Sequence, residues 1–300
     1  MWGEQVWIVD AFTDKAFAGN SAGVVLDADG LREPQMQSIA REINSAETTF
    51  VARPESAEAD VAFRWFAPAR EVEFCGHATL AGVHALLESG RVARDAATVR
   101  VATQFRGIVT VHVEPPGAIW IDIPRPDVRP CGLAVGTIVE LLGANASIMD
   151  HGLAPVMTVD NDVIVAVTNA ESLLRLRPSM SELRDFCETS GVRGVLATTR
   201  RPADGGTVAC SRFFAPAFGI DEDPVTGSVH GPLGVHLVQS GVAPLVDGRA
   251  EFKCSQGQPG GRGGIVGVVV SQDREHGWRV RVGGSCVTTF RGKLAALPQV

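Results

Sequence analysis

Arg64-Trp65-Phe66-Ala67-Pro68-Ala69 and Arg212-Phe213-Phe214-Ala215-Pro216-Ala217 are the two stretches whose comparison decides the fold. Each carries Phe-Ala-Pro-Ala with an arginine two residues ahead of it. Working outward, each copy is followed by a glycine-bearing turn and an apolar segment that ends in Ser-Gly, Ser89-Gly90 and Ser240-Gly241. Beyond those, the run from Gly107 to Val113 (GIVTVHV) is echoed by the run from Gly264 to Val270 (GIVGVVV). One such match is within reach of chance. Three in the same order indicate an internal duplication, so the chain reads as two halves of one plan.

The local pattern fills in that plan. Val6–Phe12, Gly23–Leu26, Phe63–Phe66, Val99–Val101, Gly107–Val113 and Ala118–Ile123 read as strands, rich in Val, Ile, Trp and Phe. The second half offers Met157–Val159, Val163–Val167, Val208–Phe214, Gly264–Val270 and Trp278–Val282. Pro34–Glu42 and Met180–Thr189 have amphipathic helical spacing. The repeat helices, His77–Glu88 and Ser228–Gln239, are apolar nearly all round, and a helix without a polar face is wrapped by protein on every side. The expected fold class is therefore α/β (α+β), each half a curved sheet or barrel around its own helix. The expected domains are residues 1–123 with about 283–300, and residues 131–282, linked by the proline-rich Pro124–Pro130 (PRPDVRP).

Composition removes several function classes. With 45% hydrophobic and 20% charged residues, the 300-residue chain holds enough apolar material for a large core and is unlike a disordered one. A net charge of -7, with the charges scattered, argues against nucleic acid or an anionic membrane surface as partner. The opening MWGEQVWIVD lacks the features of a signal peptide, and the apolar runs fall far short of the ~20 residues that span a bilayer, so the expected location is cytoplasmic. Six scattered cysteines without a Cys-x-x-Cys pair predict free thiols. Histidines without His-x-x-x-His spacing give no support for a metal. The run from Gly257 to Gly264 (GQPGGRGG) lacks the Gly-Lys-[Ser/Thr] ending of a phosphate loop and leads into a strand.

Chemistry is expected where the enclosed helices begin, at Cys75-Gly76-His77-Ala78-Thr79 and Asp223-Pro224-Val225-Thr226-Gly227-Ser228. A helix N-terminus presents unpaired N–H groups and the positive end of its dipole, a natural seat for a carboxylate. Gly76 and Gly227 let backbone approach a ligand. If the halves face each other about a pseudo-twofold axis, both starts line one cleft. The structural alternative is that the two glycines end strands and Ser228 caps its helix.

The motifs resemble those of the PhzF-like isomerase family. Val9-Asp10-Ala11-Phe12-Thr13 with Phe17-Ala18-Gly19-Asn20 is similar to the opening of that family. So are Ser45-x-Glu47-Thr48-x-Phe50-Val51, Arg64-Trp65-Phe66-x-Pro68, Cys75-Gly76-His77-Ala78-Thr79, Glu222-Asp223-Pro224-Val225-Thr226-Gly227-Ser228, Gln256-Gly257 and Gly261-Arg262. Ser21 and Gly263 stand where the family often has proline, which leaves the substrate open. The resemblance implies a diaminopimelate epimerase-like fold, a homodimer, no cofactor, and a small, cyclic amino- or hydroxy-carboxylate substrate of the dihydro-hydroxyanthranilate type.

It also implies Glu47, His77 and Asp223 as catalytic residues, with Gly76, Ser228, Gly227, Cys75 and Asn20 around the substrate. Glu47 would be the acid/base; burial among apolar neighbours raises a glutamate towards neutrality, so that it can take and return a proton. The rival reading has Glu47 capping a strand or pairing with Arg41 or Arg53. His77 has three roles open to it: holding substrate, relaying a proton, or stacking at the helix start. Asp223 either orients a substrate amino group or His77, or makes a turn before Pro224. Related racemases use one thiol from each half, yet only Cys75 is present here, and the second half reads Thr226-Gly227-Ser228. The alternatives are an epimerase, racemase or dehydratase of an amino or hydroxy acid, and a non-catalytic binder of small acids.

Overall fold

The computed structural model describes residues 5–203, 205–258, 260–273 and 277–299. Contacts divide the chain into two units, Met1–Asp122 with Gly283–Val300, and Ile123–Val282. Pro259 of the glycine-rich run lies outside the described residues.

In the first unit the strands are β1 (Gln5–Ala11), β2 (Asn20–Leu26), β3 (Glu47–Ala52), β4 (Val61–Phe66), β5 (Glu71–Val72), β6 (Thr98–Thr103), β7 (Gly107–Glu114) and β8 (Ala118–Ile123), joined by the C-terminal Cys286–Lys293. β1 pairs antiparallel with both β2 and Cys286–Lys293. β2 runs parallel to β3, β3 antiparallel to β4, and β4 parallel to β6 and antiparallel to the short β5. β6, β7 and β8 form a meander. A parallel pair needs a crossover, and the two helices supply it: α1 (Glu33–Ile43) between β2 and β3, α2 (Gly76–Glu88) between β4 and β6. α1 lays Met36, Ile39 and Ala40 on Val25, Phe50 and Phe66.

α2 is the enclosed helix. It packs on β1, β2, β3 and Cys286–Lys293. Gly82 comes so near β4 that an added Cβ would stand 2.7 Å from the Phe63 ring. A sheet that meets one helix along this many strands is curved round it. Thr49 of β3 donates to the Ala78 carbonyl at 2.7 Å, tying the helix to the strand beside it.

The second unit repeats the order. β9 (Val128–Pro130), β10 (Val156–Thr158), β11 (Asp162–Ala166), β12 (Gly194–Thr199), β13 (Ala209–Ala215), β14 (Ile220–Asp223), β15 (Arg249–Gly257), β16 (Gly263–Asp273) and β17 (Gly277–Gly284) follow one another. β10 is antiparallel to β9 and β11, β11 parallel to β12, β12 antiparallel to β13, and β13 parallel to β15 and antiparallel to β14. α3 (Val135–Leu141) joins the antiparallel β9 and β10; the crossovers are α4 (Ala170–Leu174) with α5 (Met180–Ser190), between β11 and β12, and the enclosed α6 (Gly227–Gln239), between β13 and β15. Ile138, Leu173, Leu183, Val195 and Phe214 form the core under the outer helices. Gly234 lets α6 meet β16, since a Cβ there would stand 2.6 Å from Val268.

The duplicated arginines have one job in both units. Arg64 on β4 forks onto Glu71 of β5 with both bonds at 2.7 Å, and its guanidinium covers the Phe66 ring at 5.1 Å. Arg212 on β13 forks onto Glu222 of β14 with both bonds at 2.8 Å and covers Phe214 at 5.0 Å. The repeat signal is therefore a clamp that holds a short return strand just before each enclosed helix.

The structure corrects the sequence in places. Val128–Pro130, expected in the linker, is the edge strand β9; Pro130 is tolerated because an edge strand leaves one row of N–H groups unpaired anyway. β3, β12, β15 and the strand Cys286–Lys293, now labelled β18, were not expected. β15 alternates charged Arg249, Glu251 and Lys253 with buried Ala250 and Cys254, so its apolar content alone hides it. Among the described residues no helix is long and apolar enough to cross a membrane.

Candidate active site

At the start of α2 three expected site residues meet. β3 begins at Glu47, and its parallel pairing with β2 sets Glu47 beside Ala22. Cys75 is the N-cap residue, with extended backbone, and His77 lies in the first turn. The Cys75 thiol donates to Glu47 Oε2 at 3.4 Å, and His77 Nε2 stands 3.3 Å from the same oxygen. The His77 Nδ1 to Cys75 Sγ distance is 3.4 Å. The His77 and Glu47 side chains are only 10% and 16% exposed. They are sheltered enough for water to be displaced by a ligand, yet open enough for one to reach them. Arg53, the rival partner for Glu47, pairs with Asp29 instead.

Two supports fix this helix start. Thr79 Oγ1 donates to the Cys75 carbonyl at 2.6 Å, and Thr49 holds Ala78 as described above. Gly76 sits 3.1 Å, measured from a built Cβ, from Ile121 Cδ1, so even an alanine there presses on β8. Asn20 opens β2 and is 1% exposed. The loop before it is drawn in by Asp10, whose Oδ2 accepts from Phe17 N at 2.7 Å. Gly19 at φ +63° turns the chain so tightly that a Cβ would fall 2.1 Å from the Ala11 carbonyl.

The start of α6 is built differently. Asp223, the last residue of β14, accepts from Thr226 Oγ1 at 2.5 Å. Gln256 of β15, 2% exposed, reaches both sides of the turn. Its Oε1 accepts from Thr226 N at 3.0 Å, and its Nε2 donates to the Asp223 carbonyl at 2.8 Å and to Thr226 Oγ1 at 3.1 Å. Gly227 is buried. The Ser228 hydroxyl accepts from Arg193 at 3.3 Å, and Arg193 Nε donates to buried Asp162 at 2.7 Å. Asp162 holds the Arg193 guanidinium firmly charged, pushing its pKa above the ordinary arginine value against the opposing effect of burial. Deeper in the helix His230 Nδ1 donates to the Thr226 carbonyl at 2.8 Å. Burial pushes the His230 pKa down to about 4, so the ring is neutral at pH 7.

Gln256, Arg193 and Asp162 went unmarked as site residues in the sequence. Gln256-Gly257 carried a motif, but nothing in a lone glutamine tells that it is buried against a helix start. Arg193 and Ser228 are 35 positions apart. The other histidines of the enclosed helices fall into the core: His236 Nε2 donates to the Ala154 carbonyl at 2.7 Å, and His84 lies 3.3 Å from Glu88.

Two units of one topology, each curving a sheet round a helix, define the diaminopimelate epimerase-like class. A probable proline racemase from Agrobacterium radiobacter shares this fold, with a TM-score of 0.62 at 13% identity over 97% of this chain and 93% of its own. The particular family is fixed by sequence: the model of phenazine biosynthesis-like proteins (PhzC-PhzF) matches residues 9–292, and the chain belongs to that family. A phenazine biosynthesis protein of the PhzF family from Bacillus anthracis is similar in structure, with a TM-score of 0.88 and 29% identity over 99% of this chain and 100% of its own. An uncharacterized isomerase of Clostridium acetobutylicum is 31% identical over 95% of this chain and 96% of its length.

Proposed function

We propose that this chain is a cofactor-independent isomerase that moves a proton between carbons of a small cyclic amino- or hydroxy-carboxylate, with Glu47 as acid/base. Family membership supports the isomerase class. The observation that carries the specific reading is the sheltered Glu47 carboxylate, 3.3 Å from His77 Nε2 at a helix start. A base for a C–H bond has to sit out of bulk water and to have somewhere to hold the proton between removal and return. On this reading Glu47 takes the proton and gives it back at another carbon. His77, 3.3 Å from it, orients the carboxyl or touches the substrate.

Cys75, Gly76 and Asn20 shape the substrate's surroundings at the first helix start. The second helix start carries Gly227 and Ser228, whose N–H and hydroxyl groups suit a carboxylate, and Asp223, whose carboxylate suits an amino group. Charge that develops on the substrate is met by fixed N–H dipoles, which need no reorganisation during the reaction. A single group that removes and returns the proton confines transfer to one face of the ring. A dihydro-hydroxyanthranilate-type acid suits these demands, because the charge left when its C–H proton is removed is spread by conjugation with the ring. The active form is a homodimer.

The contact between the Cys75 thiol and Glu47 favours one second reading, an epimerase in which the two share a proton. Incubation of candidate acids in deuterated water separates the two: isomerisation shifts a double bond, and epimerisation puts deuterium on an inverted stereocentre. Glu47→Gln should lose turnover by roughly 10²- to 10⁴-fold while still binding the acid. Undiminished turnover in that variant would end the proposal.

A further inference from the structure

Glu47, Cys75 and His77 present a carboxylate oxygen, a thiol sulfur and a ring nitrogen that all lie within 4.8 Å of one another. Their edges are 3.4 Å from Sγ to Oε2, 3.3 Å from Nε2 to Oε2, and 4.0 Å from Sγ to Nε2. A tetrahedral zinc ion with its ordinary bond lengths of about 2.3 Å to sulfur and about 2.0–2.2 Å to nitrogen and oxygen requires edges of about 3.6 Å to sulfur and about 3.4 Å between nitrogen and oxygen. The three edges here therefore match one face of such a coordination shell, and the widest closes with a small rotation of the His77 ring. We propose that these residues form a three-ligand site for Zn²⁺ or a similar thiophilic divalent cation, and that the ion switches the enzyme off by occupying Glu47.

The ligand chemistry agrees with the geometry. Thiolate and imidazole select zinc over the harder magnesium and calcium. Cys75 is the N-cap residue of α2, which sets its sulfur at the helix start beside the other two ligands. Binding displaces the thiol proton, which passes to solvent, and the sulfur, oxygen and nitrogen then each donate one electron pair. Three protein ligands leave a fourth position for water. Spacing motifs do not reveal this set, since Glu47 and Cys75 are 28 positions apart. Once coordinated, Glu47 has no free carboxylate to accept a proton from carbon. The switch rests on the reading of Glu47 as acid/base, whereas the metal site stands without it.

The test starts from metal-free full-length protein titrated with Co²⁺, whose thiolate bond gives a charge-transfer absorption band, followed by Zn²⁺ displacement against a chromogenic chelator. One equivalent per chain is expected in the wild type and in Cys131→Ser. The band should vanish in Cys75→Ser. Zinc affinity should fall in Cys75→Ser and His77→Gln by more than the roughly 10- to 100-fold that loss of an outer-shell partner costs. A titration without the band, or a band that survives Cys75→Ser, overturns the site. Turnover of the acid identified in deuterated water should fall with zinc occupancy and return with chelator; unchanged turnover at full occupancy overturns the switch. If Glu47→Gln turns over normally while the wild type gives the cobalt band, the reading of Glu47 as acid/base fails and the metal site stands.

Discussion

The starts of α2 and α6 occupy the same step of the same topology, yet they hold their side chains in opposite ways. At α2, Glu47, Cys75 and His77 come together at 3.3–3.4 Å through a carboxylate, a thiol and an imidazole. At α6, Asp223, Thr226 and Gln256 are laced by bonds of 2.5–3.1 Å, and Ser228 is held by an arginine that is itself held by Asp162. The first start holds its side chains by few and longer contacts; the second is a laced scaffold of donors and acceptors. Duplication supplied two equivalent positions, and the side chains placed on them then diverged.

The comparison can be broken at several points, the most severe first. Glu47→Gln should abolish turnover to the extent given above, whereas no single change in the α6 lacing should equal it. The two clamping arginines come next. Arg212 is 3% exposed and also donates to the Leu173 and Leu176 carbonyls, so Arg212→Ala should cost about 3–5 kcal/mol of unfolding free energy in urea. Arg64 is 26% exposed, and Arg64→Ala should cost no more than about 1 kcal/mol. Equal losses would show that the clamps are not graded by burial.

A pH effect should follow from His230. Its folded pKa, about 4, lies below the 6.5 of a free histidine. Between those values the unfolded chain binds a proton that the folded chain refuses. Stability is therefore full above pH 6.5 and declines as the pH falls to 4, by roughly 3 kcal/mol from this group. His84 and His236, also lowered by burial, add in the same direction. Urea midpoints at pH 7.5 and 4.5 should differ less in His230→Gln than in the wild type. Gln256→Ala should cost about 1–3 kcal/mol, because it removes the partner of the Thr226 N–H and of the Asp223 carbonyl. It should also weaken binding of the acid without touching the proton-transfer step.

Much of the fold is legible in the sequence. Phe-Ala-Pro-Ala repeated behind an arginine foretold two like units, and each copy proved to be the same clamp. The all-apolar helices foretold their own enclosure, because burial on every face leaves no place for polar residues. β3 was harder to see. Its residues are buried almost continuously, and a strand covered on both faces loses the alternation that marks strands in sequence. β15 and β18 were hidden for the opposite reason, their polar residues outweighing the apolar ones.

Composition, periodicity and the duplicated motif thus determined the fold class and the two enclosed helices, since those depend on local spacing and on burial of whole faces, while the resemblance to a known family marked Glu47, His77 and Asp223 as residues worth watching. Only the tertiary structure decided which of those residues share a hydrogen bond. The parallel pairing of β2 with β3 brings Glu47 to a thiol 28 positions away, and β15 carries Gln256 to a turn 30 positions back. Such meetings are products of strand register, which the chain sets through long-range pairing and which no short stretch of it can reveal.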